Sequence, residues 1–281
     1  MTGKTKLDVS SSFVIQGDAA VALRLLPEGV AQCAVTSPPY FGLRDYGIAG
    51  QIGLEDRLES YVAALVGVFG ELKRALSHDG VLWLNIGDGY TSGNRGYRAP
   101  DRKNRARAMS VRPDTPEGLK PKDLLGVPWR LAFALQADGW YLRSDVIWNK
   151  PNAMPESVKD RPVRSHEYLF MLTRSERYLY DGVAVADPGR ARRSVWNVNT
   201  SPFPEAHFAT FPPALIEPCV LSSSRPGDLV LDPFLGSGTV GEVASIHGRL
   251  FAGIELNPEY VDIARRRLAS WPFRLYRLPG G

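Results

Sequence analysis

Short apolar runs alternate with segments of helical periodicity along most of the chain. Residues 30–37 and 81–86 are almost continuously apolar, which is typical of strands buried on both faces. Apolar side chains recur every three or four positions over 58–76, and this spacing predicts a helix with one buried face. Strands are also predicted at 13–18 and 140–150, helices at 19–27, 122–139 and 213–224, and a strand–helix–strand–helix series over 228–270. Such alternation predicts an α/β fold with a mostly parallel, doubly wound sheet.

Three segments depart from this simple alternation. Residues 167–181 contain two short apolar runs around "RSER", which predicts an antiparallel hairpin within the sheet. Pro128, inside 122–139, predicts either a kink in that helix or a late start. Residues 89–121 show no apolar periodicity and predict a basic loop insertion, because long irregular loops in compact domains are usually functional or disordered. We expect residues 1–281 to form one domain that carries this loop.

The amino-acid composition restricts the possible classes of protein less than the hydrophobic pattern does. The 281 residues carry a formal net charge of +4 and the sequence pI is about 9.1, which favours an acidic partner without identifying one. Cys33 and Cys219 follow no metal-binding spacing, so we expect buried free thiols and no bound metal. The first residues form no apolar segment of signal-peptide length, and no run of 18 apolar residues occurs. We therefore expect a soluble, cytoplasmic protein without a membrane partner.

A glycine-rich turn lies between the strand and the helix predicted after residue 228. Gly236, Gly238 and Gly241 have the spacing G-x-G-x-x-G, which allows a tight turn and a close approach of the backbone to a ligand. Glu255 ends the next predicted strand, where a carboxylate can accept both hydroxyl groups of an adenosine ribose. The arrangement predicts an adenosine-bearing cofactor, and the alternative is a tight turn with a purely structural role.

The residue before the turn distinguishes between two such cofactors. NAD and S-adenosylmethionine both use this arrangement, but here Asp232 lies at the tip of the strand. Its carboxylate repels a pyrophosphate and suits a cationic amino-acid ligand. S-adenosylmethionine carries a sulfonium and an ammonium group, so we expect it to be the cofactor.

Ser37-Pro38-Pro39-Tyr40 follows the strand predicted at 30–37, at the end of a strand where α/β proteins bind ligands. "TSPPY" (36–40) and "DPFLGSGT" (232–239) resemble the catalytic and cofactor motifs of the DNA amino-methyltransferases, which methylate N4 of cytosine or N6 of adenine. The catalytic motif precedes the cofactor motif, which resembles the permuted order of the β class and implies a Rossmann-like methyltransferase fold. Residues 145–181 and 206–212 also resemble family segments, and the resemblance extends from about Phe13 to Leu268.

The chemistry of an exocyclic amino group explains the proline-rich loop. The nitrogen lone pair is delocalised into the ring, so acceptors aimed at the two hydrogens favour a more tetrahedral and more nucleophilic nitrogen. Ser37 Oγ and the Pro38 carbonyl are our candidates for these acceptors, and neither proline offers a competing N–H. We expect Tyr40 to stack on a base that has left the helix. A Pro-Pro turn that merely ends a strand is the alternative interpretation.

The resemblance implies two sets of site residues. The catalytic set is Ser37, Pro38, Pro39 and Tyr40. The cofactor set is Asp18, Thr36, Phe208, Phe211, Asp232, Pro233, Phe234, Gly236, Ser237, Gly238, Thr239, Glu255 and Asn257. Asp18 is expected either to accept from the cofactor's adenine amino group or to cap the helix at 19–27. Phe208 and Phe211 are expected either to line the methionine end or to lie in the core.

Two basic clusters are candidates for contact with double-stranded DNA. The first lies in the loop insertion and contains Arg95, Arg98, Arg102, Lys103, Arg105 and Arg107. The second contains Arg190, Arg192 and Arg193, within a segment (182–205) that is a candidate for target recognition but is short for the β class. A solvated loop is the alternative for the first cluster.

Serine at position 37 favours cytosine N4 as the target, because family members with serine there mostly modify cytosine and those with aspartate mostly modify adenine. N6 of adenine remains the alternative target. Asn85 and Asp88 are further polar candidates beside the site, with Asp88 as an acceptor or relay for the proton. The competing functions are those of a catalytically inactive DNA-binding protein, an RNA or protein methyltransferase and a nicotinamide oxidoreductase. A homodimer and a cognate restriction endonuclease stay open as partners.

Overall fold

One nine-stranded sheet, with helices on both faces, organises the computed structural model, which describes residues 7–91, 114–201 and 211–278. The strands are β1 (Phe13–Gln16), β2 (Ala31–Thr36), β3 (Leu76–Ile86), β4 (Tyr141–Asn149), β5 (His166–Thr173), β6 (Val195–Asn197), β7 (Leu229–Asp232), β8 (Leu250–Glu255) and β9 (Arg274–Arg277). The helices are α1 (Ala19–Leu23), α2 (Leu58–Ala75), α3 (Val127–Ala137), α4 (Pro213–Ser223), α5 (Thr239–Ile246) and α6 (Pro258–Arg267).

The strand order explains how two distant motifs meet. The order is β6-β4-β5-β3-β2-β7-β8-β1-β9, so β7 and β8 from the end of the chain lie between β2 and β1 from its beginning. β2 pairs in parallel with both β3 and β7. The carboxyl ends of β2 and β7 therefore lie side by side, as the permuted motif order requires.

The helices divide between the two faces as a doubly wound sheet predicts. One core cluster packs α1, α2 and α3 against the sheet, and a second packs α4, α5 and α6 against the opposite face. The buried face of α2 comprises the residues that the periodicity predicted, including Tyr61, Leu65, Phe69 and Leu72. β2 and β7 are buried along almost their whole length, as expected for central parallel strands. The predicted α/β class is confirmed.

The predicted hairpin over 167–181 is wrong in its position. Residues 166–173 form one strand, β5, which pairs antiparallel with β3 on one side and with β4 on the other. Residues 174–181 form turns and irregular chain instead of a second strand. Because β5 runs against its neighbours, its first residues lie at the same edge as the carboxyl ends of the parallel strands.

Other departures from the predicted elements are small. α3 starts late, with Pro128 in its first turn and Gly126 preceding it in the left-handed conformation. The short strands β6 and β9 were not predicted, because three or four residues carry too little pattern. Residues 114–121, the described end of the predicted loop insertion, contain no helix or strand. The prediction of a single domain over 1–281 remains a prediction.

Candidate active site at the carboxyl ends of the strands

The two motifs are joined by a hydrogen bond across β2 and β7. Thr36, the last residue of β2, donates its hydroxyl hydrogen to Asp232 Oδ1 at 2.6 Å. Asp232 ends β7, and the same oxygen accepts from the Phe234 N–H at 3.0 Å. The loop that follows Thr36 and the turn that follows Asp232 therefore start from neighbouring points of the sheet.

Asp232 is a buried acid whose described partners are uncharged. Its exposed fraction is 1%. Burial raises the pKa of Asp232 to about 7, opposed by the hydrogen bonds from Thr36 and the Phe234 N–H, while the nearby Glu255 adds to the rise. A carboxyl group with such a pKa is readily ionised by an approaching cation, which fits the cationic end of S-adenosylmethionine.

The glycine-rich turn has the conformation that its sequence predicts. Gly236 and Gly238 have φ angles of 53° and 87°, in the left-handed region that favours glycine. Gly238 precedes α5 directly, and a Cβ at this position would lie 3.3 Å from Ala264 Cβ. A Cβ at Gly241 would lie 3.1 Å from Phe251 Cδ2, so the third glycine permits close packing of α5 on β8. The turn therefore has the glycine-dependent conformation that permits close approach of an adenosine cofactor to its backbone.

Glu255 links the turn to the start of α6. Its Oε2 accepts from the Gly236 N–H and its Oε1 from the Asn257 N–H, both at 2.8 Å. Burial raises the pKa of Glu255, against the lowering effect of these backbone donors. Each carboxylate oxygen keeps a second lone pair, so ribose hydroxyl groups can still donate to it.

The hydroxyl groups of the turn are held by a residue that sequence reasoning missed. Arg267 donates to Ser237 Oγ at 3.0 Å and to Thr239 Oγ1 at 2.8 Å, and it forms an ion pair with Glu242 at 2.6 Å. The side chains of Ser237 and Thr239 thus face Arg267 of α6. A run of three arginines at the end of a helix is typical of a solvated helix face, so no sequence signal indicated this role.

Most of the remaining cofactor candidates also have structural roles, as helix caps or as packing residues. Asp18 caps α1 by accepting from the Val21 N–H at 2.8 Å, which confirms the capping alternative. Asn257 caps α6 by accepting from the Glu259 N–H at 2.9 Å. Pro233 is buried, Phe234 packs edge-on against Phe69 of α2, and Phe211 is half-buried beside α4. Phe208 lies outside the described residues.

The Ser-Pro-Pro-Tyr loop is braced from three sides. Tyr61 of α2 donates its hydroxyl hydrogen to the Pro39 carbonyl at 2.7 Å. A Cβ at Gly53 would lie 3.0 Å from the Tyr40 carbonyl oxygen. A Cβ at Gly87, just after β3, would lie 2.8 Å from Tyr40 Cε2. These close contacts fix the path of the loop and the plane of the Tyr40 ring.

Tyr40 also makes a polar contact that sequence reasoning missed. Its hydroxyl donates to Glu167 Oε2 at 2.8 Å, and Glu167 forms an ion pair with Lys150. Glu167 comes from the start of β5, so the antiparallel direction of that strand is what brings it to the site. A polar residue next to an apolar run was visible in "HEYLF", but its relevance depended on the strand direction.

Asp88, the candidate for a proton relay, has a structural role. Its Oδ1 accepts from the N–H groups of Gly89 and Val127, and its Oδ2 accepts from the Gly126 N–H at 3.1 Å. Arg164 lies 3.7 Å from the same carboxylate. Asp88 therefore caps the start of α3. Asn85 is buried against Tyr40, at 3.4 Å from the phenolic oxygen.

The basic clusters are described only in part. Arg95, Arg98, Arg102, Lys103, Arg105 and Arg107 lie outside the described residues. Arg190 and Arg193 are exposed, and Arg190 lies 3.8 Å from Asp187. The guanidinium carbon of Arg192 lies 4.5 Å from the centre of the Trp196 ring, so this side chain stacks on β6. A DNA contact by Arg192 would have to coexist with that stacking.

A doubly wound sheet, a glycine-rich turn and an acid at the end of the next strand define a protein that binds an adenosine cofactor. The Ser-Pro-Pro-Tyr loop beside that turn is the feature of an amino-methyltransferase. The chain matches the DNA methylase family model over residues 31–266, and it belongs to that family. It is thus a DNA methyltransferase of the N4/N6 family, dependent on S-adenosylmethionine, as the resemblance implied.

Relatives match nearly the whole chain. The Type II methyltransferase M.Cfr9I of Citrobacter freundii is 68% identical over 277 residues, which cover 97% of this chain and 92% of that protein. The Type II methyltransferase M.SmaI of Serratia marcescens is 56% identical over 268 residues, with coverage of 93% and 92%.

Solved structures share the fold. The PvuII DNA methyltransferase, described as cytosine-N4-specific, aligns with a TM-score of 0.70 at 20% identity, covering 94% of this chain and 95% of that chain. The Thermus thermophilus protein TTHA0409, complexed with S-adenosyl-L-methionine, aligns with a TM-score of 0.65 at 25% identity, covering 95% and 99%. The predicted cofactor, S-adenosylmethionine, is confirmed for the family.

Membrane spans and metal clusters are both absent from the described ranges. No helix there is long and apolar enough to cross a membrane. Nor do three or more histidine, cysteine, aspartate or glutamate side chains come together there as a metal site would require. Cys33 and Cys219 are buried free thiols, as their spacing predicted.

Proposed function

We propose that this protein transfers a methyl group from S-adenosylmethionine to N4 of a cytosine in duplex DNA. The observation that carries the proposal is the Thr36–Asp232 hydrogen bond, which places the start of the Ser-Pro-Pro-Tyr loop beside the start of the cofactor turn. Ser37 is the feature that favours cytosine, through the resemblance to the serine-containing members of the family. The likeness to the PvuII enzyme carries the fold alone, so the choice of target rests on Ser37.

At the cofactor end, the acids and the turn have separate roles. Asp232 interacts with the cationic amino-acid end, and Glu255 accepts from the ribose while it holds the Gly236 N–H. Asp18, at the end of β1 next to β8, accepts from the adenine amino group with the oxygen opposite its cap. The remaining candidates contribute backbone or side-chain contacts to the cofactor: Thr36, Phe211, Pro233, Phe234, Ser237, Gly238, Thr239 and Asn257. Phe208, which lies outside the described residues, is a candidate through the resemblance alone.

At the catalytic end, the residues hold and polarise the amino group. When bound, the cofactor supplies an electrophilic methyl group. Ser37 Oγ and the Pro38 carbonyl accept from the two amino hydrogens, which directs the nitrogen lone pair away from the ring. Tyr40 stacks on the flipped base, and Pro39, bonded to Tyr61, keeps the loop rigid. Fixed dipoles of this kind need no rearrangement during the transfer.

DNA is held by the two basic clusters in this proposal. β3 ends at the edge of the sheet that carries the site, and the loop insertion follows it in sequence, which is why we assign its arginines to DNA. Arg190 and Arg193 precede β6, which pairs with β4 at one end of the sheet. The Type II relatives favour a cognate restriction endonuclease as a functional partner, and a homodimer is a further candidate for the assembly.

Labelled methyl transfer in vitro tests the proposal. Purified protein is incubated with methyl-labelled S-adenosylmethionine and duplex DNA of varied sequence, and the products are digested to nucleosides. Label in N4-methylcytosine supports the proposal, whereas label in N6-methyladenine supports the alternative target. Binding of DNA and cofactor without any transfer indicates the inactive DNA-binding alternative, and preference for RNA of the same sequence indicates an RNA enzyme.

A further inference from the structure

Four side chains form a continuous polar chain from the edge of the sheet to the catalytic serine. Lys150, which follows β4, pairs with Glu167 of β5. Glu167 Oε2 accepts from the Tyr40 hydroxyl at 2.8 Å. The Ser37 hydroxyl lies 3.3 Å from the Tyr40 oxygen, with Ser37 as the donor. These contacts connect the Lys150 ammonium group, the Glu167 carboxylate and the Tyr40 phenol to the Ser37 hydroxyl, which in the proposed function faces the target base.

The carboxylate of Glu167 determines the direction of the hydrogen bonds among these side chains. An ionised carboxylate has only acceptor sites, and a phenol has one hydrogen to donate. Because Tyr40 gives that hydrogen to Glu167, its oxygen is free to accept from Ser37. Ser37 then has its own hydrogen engaged, and both its remaining lone pairs are available to hydrogens of an amino group.

We infer that Lys150 and Glu167 are positioning residues that fix the direction of the hydrogen bond between Tyr40 and Ser37, so that Ser37 presents an acceptor to the exocyclic amino group. The inference rests on the proposed function, since it concerns the same amino group. Without this arrangement a serine hydroxyl can also turn its hydrogen toward the base. That orientation opposes an amino hydrogen and leaves the nitrogen unpolarised.

Two observations support this direction over its reverse. The Tyr40 oxygen lies 2.8 Å from Glu167 but 3.4 Å from Asn85 Oδ1, so the shorter bond to the charged acceptor takes the hydrogen. Burial, and next the charge of Glu167, raise the pKa of Tyr40 well above its ordinary value, so the phenol keeps the hydrogen.

The packing at Gly87 keeps Tyr40 and Glu167 close together. A Cβ at this position would meet Tyr40 Cε2 at 2.8 Å and Glu167 Cδ at 3.3 Å. Only a glycine lets the tyrosine ring and the glutamate lie over the backbone together. Lys150 and Glu167 are both mostly buried, with exposed side-chain fractions of 18% each, so their pairing is little screened by solvent.

A double-mutant cycle tests the inference. Glu167→Gln keeps the shape of the side chain but adds a donor, and Tyr40→Phe keeps the ring but removes the hydroxyl. Each single change should slow single-turnover methyl transfer by about tenfold, with dissociation constants for cofactor and DNA within about twofold of the wild type. The double variant should be slowed by about tenfold to thirtyfold, since both changes break one chain. Glu59→Gln, an exposed acid in the first turn of α2, is the matched control.

A second cycle connects the effect to Ser37. In a Ser37→Ala background, Glu167→Gln should change the transfer rate by less than about twofold, because no hydroxyl remains to orient. A tenfold loss in that background overturns the inference, as does independent multiplication to about a hundredfold in the first cycle. Single variants at the wild-type rate also overturn it. A wild-type protein that labels neither amino group overturns the proposed function, whereas an active wild type with unaffected variants overturns this inference alone.

Discussion

The buried carboxyl group of Asp232 predicts that cofactor affinity rises with pH across the neutral range. In the cofactor-free protein its pKa is about 7, because burial disfavours the charged form. The cationic end of S-adenosylmethionine interacts favourably only with the ionised carboxylate. Binding should therefore release a proton wherever this group is still protonated, and lowering the pH should weaken binding.

The size of the effect follows from the fraction of Asp232 that is ionised. With a pKa of about 7, roughly 3% is ionised at pH 5.5 and roughly 90% at pH 8. If the ionised form alone binds, the dissociation constant should be about thirtyfold higher at pH 5.5 than at pH 8. The slope of its logarithm against pH should approach one below pH 6.5 and flatten above pH 7.5, to within roughly one pH unit.

Isothermal titration calorimetry from pH 5.5 to pH 8 measures this directly. At pH 6, buffers of different ionisation enthalpy should show the release of close to one proton for each cofactor bound. Asp232→Asn should bind more weakly at pH 8 and should lose the slope. A flat profile in the wild type, or the same slope in the Asn variant, would refute the assignment of Asp232 to the cationic end of the cofactor.

Three further outcomes are expected, two from the structure and one from the sequence of the loop insertion. Because the pKa of Asp232 is raised to about 7, this group stabilises the cofactor-free protein below about pH 4, and that stabilisation is lost as the pH rises through about 7. The loss in unfolding free energy is at most roughly 4 kcal/mol, and chemical denaturation should show it in the wild type and not in Asp232→Asn. Gly87→Ala should displace the Tyr40 ring and lower turnover by more than about tenfold, at a cost of about 1–3 kcal/mol in unfolding free energy; unchanged turnover would show that the ring tolerates displacement. Replacing Arg102, Lys103 and Arg105 by alanine should weaken specific and non-specific DNA binding alike. The slope of log affinity against log salt concentration, measured by filter binding, should become shallower by about 0.9 for each lost phosphate contact, whereas wild-type affinity and slope would assign the loop to solvent.

Much of the sheet could be predicted because its strands are buried on both faces. The continuous apolar runs of β2 and β7 and the helical spacing of α2 each have a single interpretation. The hairpin over 167–181 was misplaced because periodicity does not reveal which strands pair. β5 finds both partners far away in sequence, in β3 and β4.

The candidate site could be predicted where the backbone imposes a residue type. Gly236 and Gly238 have positive φ angles, and Asp232 and Glu255 end strands, so each position had a local signal. Long-range partners had none. Glu167 reaches Tyr40 across 127 positions, and Arg267 reaches Ser237 across 30, and neither separation leaves a pattern in the sequence.

Asp88 is a residue for which the sequence admits two roles. An acid beside the site suggested a proton relay, and the same carboxylate accepts from the N–H groups of Gly126 and Val127 at the start of α3, 38 and 39 positions further along the chain. This carboxylate accepts from three backbone N–H groups, those of Gly89, Gly126 and Val127. Helix capping and proton transfer both use aspartate, so the sequence alone did not reveal the contact of Asp88 with α3.

Nucleoside analysis of DNA from cells that express the protein shows whether cytosine N4 receives the methyl group. N4-methylcytosine and 5-methylcytosine have the same mass, so the nucleosides must be separated by chromatography before mass spectrometry. We expect N4-methylcytosine in that DNA and a lower level of it in DNA from cells that express Ser37→Ala. Methylation found only on adenine N6, or on neither amino group, would contradict this expectation.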